Sequence, residues 1–270
     1  MIAIALVLLS ATIAARQLAQ SKQDITHCAD NLRKLYVAHG AYVTAHGKPP
    51  RTRFEPDKPI TAFTGSASTN PFAADGPQAN DVTAAIFLLA RESGISADVF
   101  NCPAALRNGL AEQDTFDATT VQQRSNFRAR VNYNYSFQNM YLPADSAGPS
   151  DVMAADTNPG GQGILTATTQ ETLQQVRLSN SPNHQRDGQN VLFRNGEVRF
   201  EPSAFFGKPV DNIYAPGGVE LVPEWSAGPD VTPKAVSLRR WAFSIAMVAT
   251  TLLLIFIVFR GRRKSAGLRV

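Results

Sequence analysis

The chain has 270 residues and a formal net charge of +4, from 26 Lys and Arg against 22 Asp and Glu. The charge is uneven, because residues 231–270 hold eight of the basic residues and no acidic one, which leaves 18 basic against 22 acidic residues in residues 1–230. A mildly acidic body argues against a nucleic-acid partner, since such binding needs a basic face. With two apolar ends set aside, roughly 190 residues remain for a globular part with its own core.

The first 47 residues predict one long helix that begins apolar and continues amphipathic. Residues 1–15 contain no charge, Gly or Pro. At about 1.5 Å per residue they reach roughly 22 Å, so they can enter a ~30 Å hydrocarbon core but barely span it. Gly47, followed by two prolines, predicts the end of the helix. An apolar stripe spaced by threes and fours predicts packing on a domain outside the membrane. The stripe consists of Leu18, Ile25, Cys28, Leu32, Leu35, His39 and Tyr42, while Lys22, Asp24, Asp30, Arg33 and Lys34 fall on other faces.

A cleaved signal peptide is the alternative for this opening segment, with Ala14-Ala15 as the small-residue cleavage site. Such peptides begin with basic residues, and this segment has none before Arg16. The helical pattern also continues through the cleavage position without a break. We therefore expect an uncleaved helix.

Residues 48–201 predict a mixed head domain. Pro, Thr, Ser, Ala and Gly are frequent in residues 48–79, which predicts an extended loop. An Asn-Asp pair at 80–81 offers an N-cap to a short apolar helix that Gly94 ends. A brief extended stretch is expected over residues 99–103.

The rest of the head predicts antiparallel β-structure and one more helix. Residues 128–142 alternate aromatic and polar side chains, and this period of two is typical of a strand. Residues 152–156 form a short apolar run that a turn sequence ends. Residues 168–178 predict a short helix. Asn195-Gly196 lies between two apolar runs and predicts a hairpin, because both residue types tolerate positive φ.

The end of the chain predicts a second membrane segment. Residues 202–238 contain six prolines, as is typical of a semi-extended linker. Residues 241–259 are 19 uncharged residues, which fits a tilted membrane-spanning helix. Basic residues that follow it place the C-terminus in the cytoplasm and the main domain outside. The predicted organisation is a membrane and stem helix (1–47), a head (48–201), a Pro-rich linker (202–238) and a C-terminal transmembrane helix with a basic tail (239–270).

The only two cysteines, Cys28 and Cys102, are candidates for a disulfide. In an oxidising compartment such a bond would close a long loop and stabilise the fold by about 2–4 kcal/mol. Two buried free thiols are the alternative, because the sequence does not show that the sulfurs meet. Their spacing fits no zinc motif.

Four segments of the sequence carry a resemblance to one family. The segments and their order along the chain resemble those of pseudopilin-like proteins of the type II secretion and type IV pilin superfamily, in particular the branch with a C-terminal His-x9-Asp-Gly signature. The segments are residues 28–35 (CADNLRKL), 99–103 (VFNCP), 152–160 (VMAADTNPG) and 181–200 (SPNHQRDGQNVLFRNGEVRF). The resemblance implies an α+β fold with a pilin-like long N-terminal helix packed on a small antiparallel sheet. The family motif falls on His184, Asp187, Gly188, Asn190, Asn195 and Gly196.

The chain also departs from that family. Ten residues rather than nine separate His184 from Asn195-Gly196, and Asn stands where Asp is usual. Asn-Gly permits the same turn as Asp-Gly, so the hairpin is still expected. No Gly-Phe-x-x-x-Glu leader precedes the apolar helix. We therefore expect either a start inside a longer gene or a member outside the pilus-assembly route, and the C-terminal membrane helix is atypical too.

Catalytic or metal chemistry would centre on His184 and Asp187, with Asp156 or Asp151 brought near by the fold. A His three residues from an Asp can form a metal pair, and carboxylates with Asn158 can hold calcium through oxygen ligands. No third ligand is fixed by spacing, so local hydrogen bonds that shape the loop are the favoured interpretation. We assign no catalytic, cofactor-binding or metal-binding residue.

Other candidate groups are weaker. His39 and His46 share a helix face, but a metal there needs ligands from elsewhere, so packed or exposed histidines are favoured. Ser179 and Ser181 lie near His184 in sequence, yet no strand–turn–helix elbow surrounds either serine. No phosphate loop, dinucleotide fingerprint or HExxH motif occurs.

These observations and the resemblance predict a non-enzymatic, membrane-anchored structural subunit of a type II secretion or type IV pilus-like system. Its partners would be other pilin-like or secretion-system subunits, bound through the N-terminal helix, and the membrane. No cofactor, nucleic acid or small-molecule substrate is implied. The expected location is the inner membrane, with a periplasmic head and a cytoplasmic C-terminus. A doubly anchored periplasmic binding or scaffold module that does not polymerise is the alternative, and a hydrolase or metalloenzyme around His184 is the third hypothesis.

Overall fold

The computed structural model describes residues 2–55, 57–58, 61–65, 67–128, 132–137, 152–159, 173–206 and 211–214. Within these ranges the chain is α+β, with a long N-terminal helix and a small antiparallel sheet. The helices are α1 (Ile2–His46), α2 (Val82–Ser93), α3 (Pro103–Arg107) and α4 (Leu173–Ser179). The strands are β1 (Tyr135–Phe137), β2 (Val152–Asp156), β3 (Gln189–Phe193), β4 (Val198–Glu201), β5 (Phe205–Phe206) and β6 (Asp211–Asn212).

Helix α1 is continuous over 45 residues, as the sequence predicts, and it contributes to two units that divide between residues 22 and 23. Gly47 ends it with φ +69°, and its amide donates to the carbonyl of Val43 at 2.8 Å. A left-handed residue after the last turn is inexpensive for glycine, which has no Cβ. The predicted end of the helix is therefore confirmed.

The apolar stripe of α1 enters the core from Cys28 onward. Cys28, Leu32 and Leu35 are fully buried, whereas Leu18 is 61% exposed. The prediction that Leu18 belongs to the packed stripe is therefore wrong. Asp24, predicted on another face, is buried and forms a two-pronged ion pair with Arg107 of α3. A carboxylate tolerates such burial because the guanidinium fork supplies both the opposite charge and the hydrogen bonds.

Helix α2 is buried along most of its length and lies in an aromatic core. Its N-cap is Asp81, whose Oδ1 accepts from the amide of Ala84 at 2.8 Å, and Gly94 ends it at φ +63°. Both ends match the sequence prediction. Phe87 packs edge-on against Phe127, with ring centroids 5.0 Å apart.

The extended stretch predicted at residues 99–103 is present only at Asn101 and Cys102. A 3₁₀ turn covers Ala97–Phe100, and α3 begins at Pro103. The fixed φ of proline suits the first helical position, and the missing amide proton costs nothing there. Cys102 just before it stays extended, at φ −71° and ψ 126°, because a following proline disfavours the helical region.

The main sheet has the order β1-β2-β3-β4, and all neighbours are antiparallel. Of the strand predicted at 128–142, β1 covers three residues, and residues 129–131 and 138–142 lie outside the described part of the chain. The predicted strand at 152–156 is confirmed as β2. The helix predicted over 168–178 is observed as α4, while residues 168–172 lie outside the described part.

The predicted hairpin is present, with β3 and β4 paired so that Leu192 lies opposite Val198. Of its two turn residues Gly196 alone has a positive φ, +86°, and its amide donates to the carbonyl of Phe193 at 2.9 Å. The connection is therefore the three residues Arg194-Asn195-Gly196, as predicted, with a left-handed glycine at its last position. The tip rests on α1, because a Cβ at Gly196 would lie 2.7 Å from the ring of Tyr36.

The chain after Glu201 still belongs to the head, although residues 202–238 were predicted as a linker. Strands β5 and β6 pair there, and Ala204 and Tyr214 are fully buried beside Val191 and Phe193 of β3. The head therefore reaches at least residue 214. The predicted membrane-spanning helix at 241–259 lies outside the described residues. None of the helices in the described part of the chain has the length and apolarity needed to cross a membrane.

Candidate functional site

Four buried polar side chains meet where α1, β2 and two loops of the head come together. They are Cys28, Cys102, Asp156 and His184, and one donor atom from each lies within 4.8 Å of every other. His184 is 6% exposed and the other three are fully buried. Among the described residues this is the one group of His, Cys, Asp and Glu side chains that brings three or more possible metal ligands together.

Each of the four residues comes from a different structural element. Cys28 faces the core from α1, and Cys102 precedes α3. Asp156 is the last residue of β2. His184 lies in the loop between α4 and β3, which the positive φ angles of Gln185 and Arg186 bend sharply. The site thus fastens the stem helix to the sheet of the head.

The carboxylate of Asp156 is the centre of the hydrogen-bond network. Its Oδ2 accepts from the backbone amide of Asn190 at 2.6 Å, and its Oδ1 accepts from Asn183 Nδ2 at 3.2 Å. The Cys28 sulfur lies 2.6 Å from the same Oδ1. The Tyr214 hydroxyl donates to the backbone carbonyl of Asp156 at 2.8 Å. These contacts hold both the side chain and the backbone of Asp156 in place.

Three polar atoms converge on one ring nitrogen of His184. Its Nε2 lies 3.1 Å from Asp156 Oδ2, 3.2 Å from Asn190 Nδ2 and 3.6 Å from Cys102 Sγ. In a Cys–His–Asp catalytic relay the acid and the nucleophile use opposite nitrogens of the ring. Because Asp156 and Cys102 both approach Nε2, the arrangement is not such a relay.

Burial and neighbouring charge oppose each other in this cluster. Burial by itself lowers the pKa of His184, but the Asp156 carboxylate raises that pKa to about 10. Burial raises the pKa of Asp156, but the charge of His184 and the hydrogen bonds from His184, Cys28 and the Asn190 amide together lower it by more, so the net shift is downward. The carboxylate and the imidazole therefore favour their charged forms together.

The two thiols differ in acidity. Burial, together with Cys102 and the Asp156 carboxylate, raises the pKa of Cys28 well above its ordinary value. Burial also opposes ionisation of Cys102, but hydrogen bonds from Cys28 and His184 lower the pKa of this thiol to about 7. Cys102 thus has the thiolate character that metal binding and nucleophilic reactivity require.

The two cysteines are free thiols in the structure and both are buried. This is the alternative that the sequence left open beside a disulfide. No metal ligand was predicted from the sequence, because the cysteine spacing fits no zinc motif and spacing fixes no third ligand beside His184 and Asp187. The structure nevertheless brings both sulfurs close to His184. Asp156, which was predicted as a possible neighbour of His184, also contacts it.

The residues of the family motif separate into two groups. His184 and Asn190 belong to the buried cluster. Asp187 does not, since it lies at the surface and pairs with Arg177 at 2.8 Å. Gly188 has a packing role, because a Cβ there would lie 2.6 Å from the carbonyl oxygen of Glu201.

The remaining motif residues shape the hairpin, since Asn195 Oδ1 accepts from the amide of Glu197 at 3.0 Å and Gly196 occupies the turn. His39 and His46 lie outside the buried cluster. His46 packs against Tyr42 with tilted rings whose centroids are 4.2 Å apart, and burial lowers the pKa of His39 to about 4. Asp151, considered as a partner of His184, lies outside the described residues.

Ser181 and Asn158 also have structural contacts. Ser181 Oγ accepts from the amide of Asn183 at 3.3 Å. The Asn158 amide donates to Ser136 Oγ at 2.8 Å, and its side chain donates to the Tyr214 carbonyl at 3.4 Å. These hydrogen bonds explain how the polar residues Ser181 and Asn158 can be buried.

Comparisons of the chain with protein families, with curated proteins and with solved structures gave no match. The site is therefore interpreted from its own geometry.

Proposed function

We propose that this chain is a non-enzymatic structural subunit, similar to the pseudopilins, whose N-terminal helix packs with the helices of neighbouring subunits at the membrane. The observation that carries the proposal is the division of α1 into two segments of opposite exposure. One segment is built into the head, and the other presents apolar side chains outward.

The exposure values define the two segments. Leu9 is 57% exposed and Ile13 is 41% exposed, whereas Leu32 and Leu35 are fully buried. Apolar side chains that follow one another on an exposed face are typical of a surface that binds a partner. Residues 1–15 also carry no charge, so this segment is compatible with a lipid environment as well as with another apolar helix.

The buried cluster supports a structural role rather than catalysis. Its four side chains are at most 6% exposed, and a reacting group needs contact with its substrate. The cluster also joins α1 to β2 through Cys28 and Asp156. Both features suit a joint that keeps the stem and the head together.

The test replaces both exposed apolar residues, as Leu9→Arg/Ile13→Arg, in the full chain expressed in cells. We expect the protein to leave the carbonate-washed membrane pellet and its chemical cross-links to other subunits to disappear, because buried guanidinium groups are costly in an apolar contact. Val37→Arg is the matched control, since Val37 is also apolar and 68% exposed on α1. Retention of both properties by the double variant would contradict the proposal.

A doubly anchored scaffold that does not polymerise is the second candidate. It is favoured by residues 241–259, which are uncharged over 19 positions and flanked by Lys and Arg. Deletion from Trp241 onward distinguishes the two candidates. The truncated chain remains in the membrane pellet if the N-terminal helix is a sufficient anchor, and it is released if the C-terminal segment is the anchor.

A further inference from the structure

We propose that Cys28, Cys102, Asp156 and His184 bind one zinc ion in a closed, four-coordinate structural site that joins the stem helix to the head. This inference goes beyond the proposed function and does not depend on it. A zinc joint would serve equally in a polymerising subunit and in a scaffold.

The first argument is the chemistry of the donor set. Two thiol sulfurs, one imidazole nitrogen and one carboxylate oxygen are the ligand types that zinc takes in proteins. Calcium, considered from the sequence, instead needs six to eight oxygen ligands, and two of the four donors here are sulfur. The ligand types therefore select zinc over calcium.

The second argument is distance. Around a tetrahedral zinc, ligand bonds of about 2.3 Å to sulfur and 2.0–2.1 Å to nitrogen place a sulfur roughly 3.5 Å from a nitrogen. Cys102 Sγ lies 3.6 Å from His184 Nε2. An imidazole nitrogen and a carboxylate oxygen would lie roughly 3.4 Å apart, and His184 Nε2 lies 3.1 Å from Asp156 Oδ2. All four donor atoms are within 4.8 Å of one another. Cys28 Sγ lies 2.6 Å from Asp156 Oδ1, so these two side chains would have to separate by about 1 Å to reach the roughly 3.5 Å between sulfur and oxygen ligands of a tetrahedral zinc.

The third argument is that His184 Nε2 can direct its lone pair at a cation without leaving Asn190 unpaired. Asn190 Nδ2 lies 3.2 Å from His184 Nε2, but it also lies 3.3 Å from Asp156 Oδ2 and donates to that oxygen. His184 Nε2 and Asp156 Oδ2 are 3.1 Å apart. Zinc would take the place of the proton between these two atoms, and the proton would be released on binding.

The fourth argument is the support of the ligands by their neighbours. Zinc ligands are usually held by further hydrogen bonds that fix their orientation. Asp156 has such bonds from the Asn190 amide and from Asn183, and the Cys28 sulfur lies 3.4 Å from the Tyr135 hydroxyl. The ring of His184 packs edge-on against Phe200 at 5.8 Å between centroids. The four ligands leave no position for water, as in structural rather than catalytic zinc sites.

The ligands come from parts of the sequence that lie far apart, so the ion would link α1, the Cys102 loop, β2 and the His184 loop. Such a site needs no local spacing motif. It also explains why two cysteines, one histidine and one aspartate are buried together in a domain with ample apolar residues for a core.

The experiment uses the full chain without an affinity tag, purified in detergent and desalted. We expect about one zinc per chain by mass spectrometry of the metal content. Replacement of zinc by Co²⁺ in the parent chain is expected to produce the visible absorption bands of a tetrahedral ion and a thiolate-to-cobalt charge-transfer band. Chelation is expected to lower the midpoint of thermal unfolding by about 5–10 °C when zinc was present at 100 times its Kd.

The variants Cys28→Ser and His184→Ala test the assignment of ligands. Each is expected to weaken Co²⁺ binding at least tenfold, with circular dichroism as the check that the chain is folded. His39→Ala and Asp187→Asn are the matched controls, because these residues lie outside the cluster, and both are expected to bind like the parent chain.

Three outcomes would overturn the proposal. They are a folded parent chain that binds no zinc or Co²⁺ in the micromolar range, a native disulfide seen as a mass lower by two hydrogens, and unchanged Co²⁺ spectra in the two ligand variants.

Discussion

Removal of the Leu35 side chain tests whether α1 is an integral part of the head. Leu35 is fully buried in the core cluster that also contains residues of α2 and of the sheet. Leu→Ala substitutions at such sites cost about 3–5 kcal/mol, because the transfer energy is lost and a cavity remains. For a folded unit of this size the melting temperature is expected to fall by roughly 6–20 °C.

The measurements are urea unfolding, for the free energy, and thermal unfolding, for the melting temperature, of the full chain in detergent, both followed by far-ultraviolet circular dichroism. Val37→Ala is the control on the same helix, because Val37 is 68% exposed. It is expected to be neutral or to stabilise the helix by a few tenths of a kcal/mol, as alanine is the better helix former. A loss below about 1 kcal/mol for Leu35→Ala would refute the packing of α1 in the core.

Four further predictions concern single positions of the head. Gly188→Ala is expected to destabilise by more than about 2 kcal/mol, because φ is +151° and the new Cβ would meet the carbonyl oxygen of Glu201 at 2.6 Å. Gly40→Ala, which meets nothing within 4 Å on α1, is expected to stabilise by up to about 1 kcal/mol in the same unfolding assay. Arg124→Met would leave the buried Asp114 without its ion pair at 2.6 Å and cost about 3–5 kcal/mol, most of it recovered when Asp114→Leu is added. Burial lowers the pKa of His39 to about 4, below its ordinary 6.5. As the pH falls, His39 is protonated in the unfolded chain before it is protonated in the folded chain. The free energy of unfolding is therefore highest above pH 6.5 and decreases as the pH falls toward 4, by at most about 3 kcal/mol. His39→Leu is expected to flatten this part of the stability curve, and an unchanged slope would contradict the assignment.

Elements with a local signal could be predicted from the sequence. The end of α1 at Gly47, both ends of α2 and the β3–β4 hairpin all depend on residues next to one another in the chain. Capping and turn preferences act over three or four residues. These features therefore needed no knowledge of the tertiary structure.

Features that depend on distant partners could not be predicted. Asp24 is charged and was expected on an outer face, and its burial follows from Arg107, which is 83 residues away. Leu18 fits the helical stripe, but it is exposed because the core contacts of α1 begin further along the helix. Periodicity shows which side chains share a face, and it does not show how far along the helix the partner surface extends.

The buried cluster illustrates the same limit. Cys28 and Cys102 were singled out as a pair, and Asp156 was named as a possible neighbour of His184. Their convergence depends on tertiary contacts among α1, the Cys102 loop, β2 and the His184 loop, and residue spacing along the chain does not show these contacts. Sequence motifs detect metal sites when at least two ligands are close in the chain, and here each ligand stands alone.

The most direct test of the proposed subunit role is cross-linking through the outward face of α1. Cysteine is introduced as Ile13→Cys in the full chain, and membranes are oxidised before gel electrophoresis under non-reducing conditions. The two native cysteines are buried, so the new thiol is the reactive one. We predict disulfide-linked dimers for Ile13→Cys and none for Val37→Cys on the head segment of the same helix. Monomers at both positions, or equal linking at both, would contradict the account.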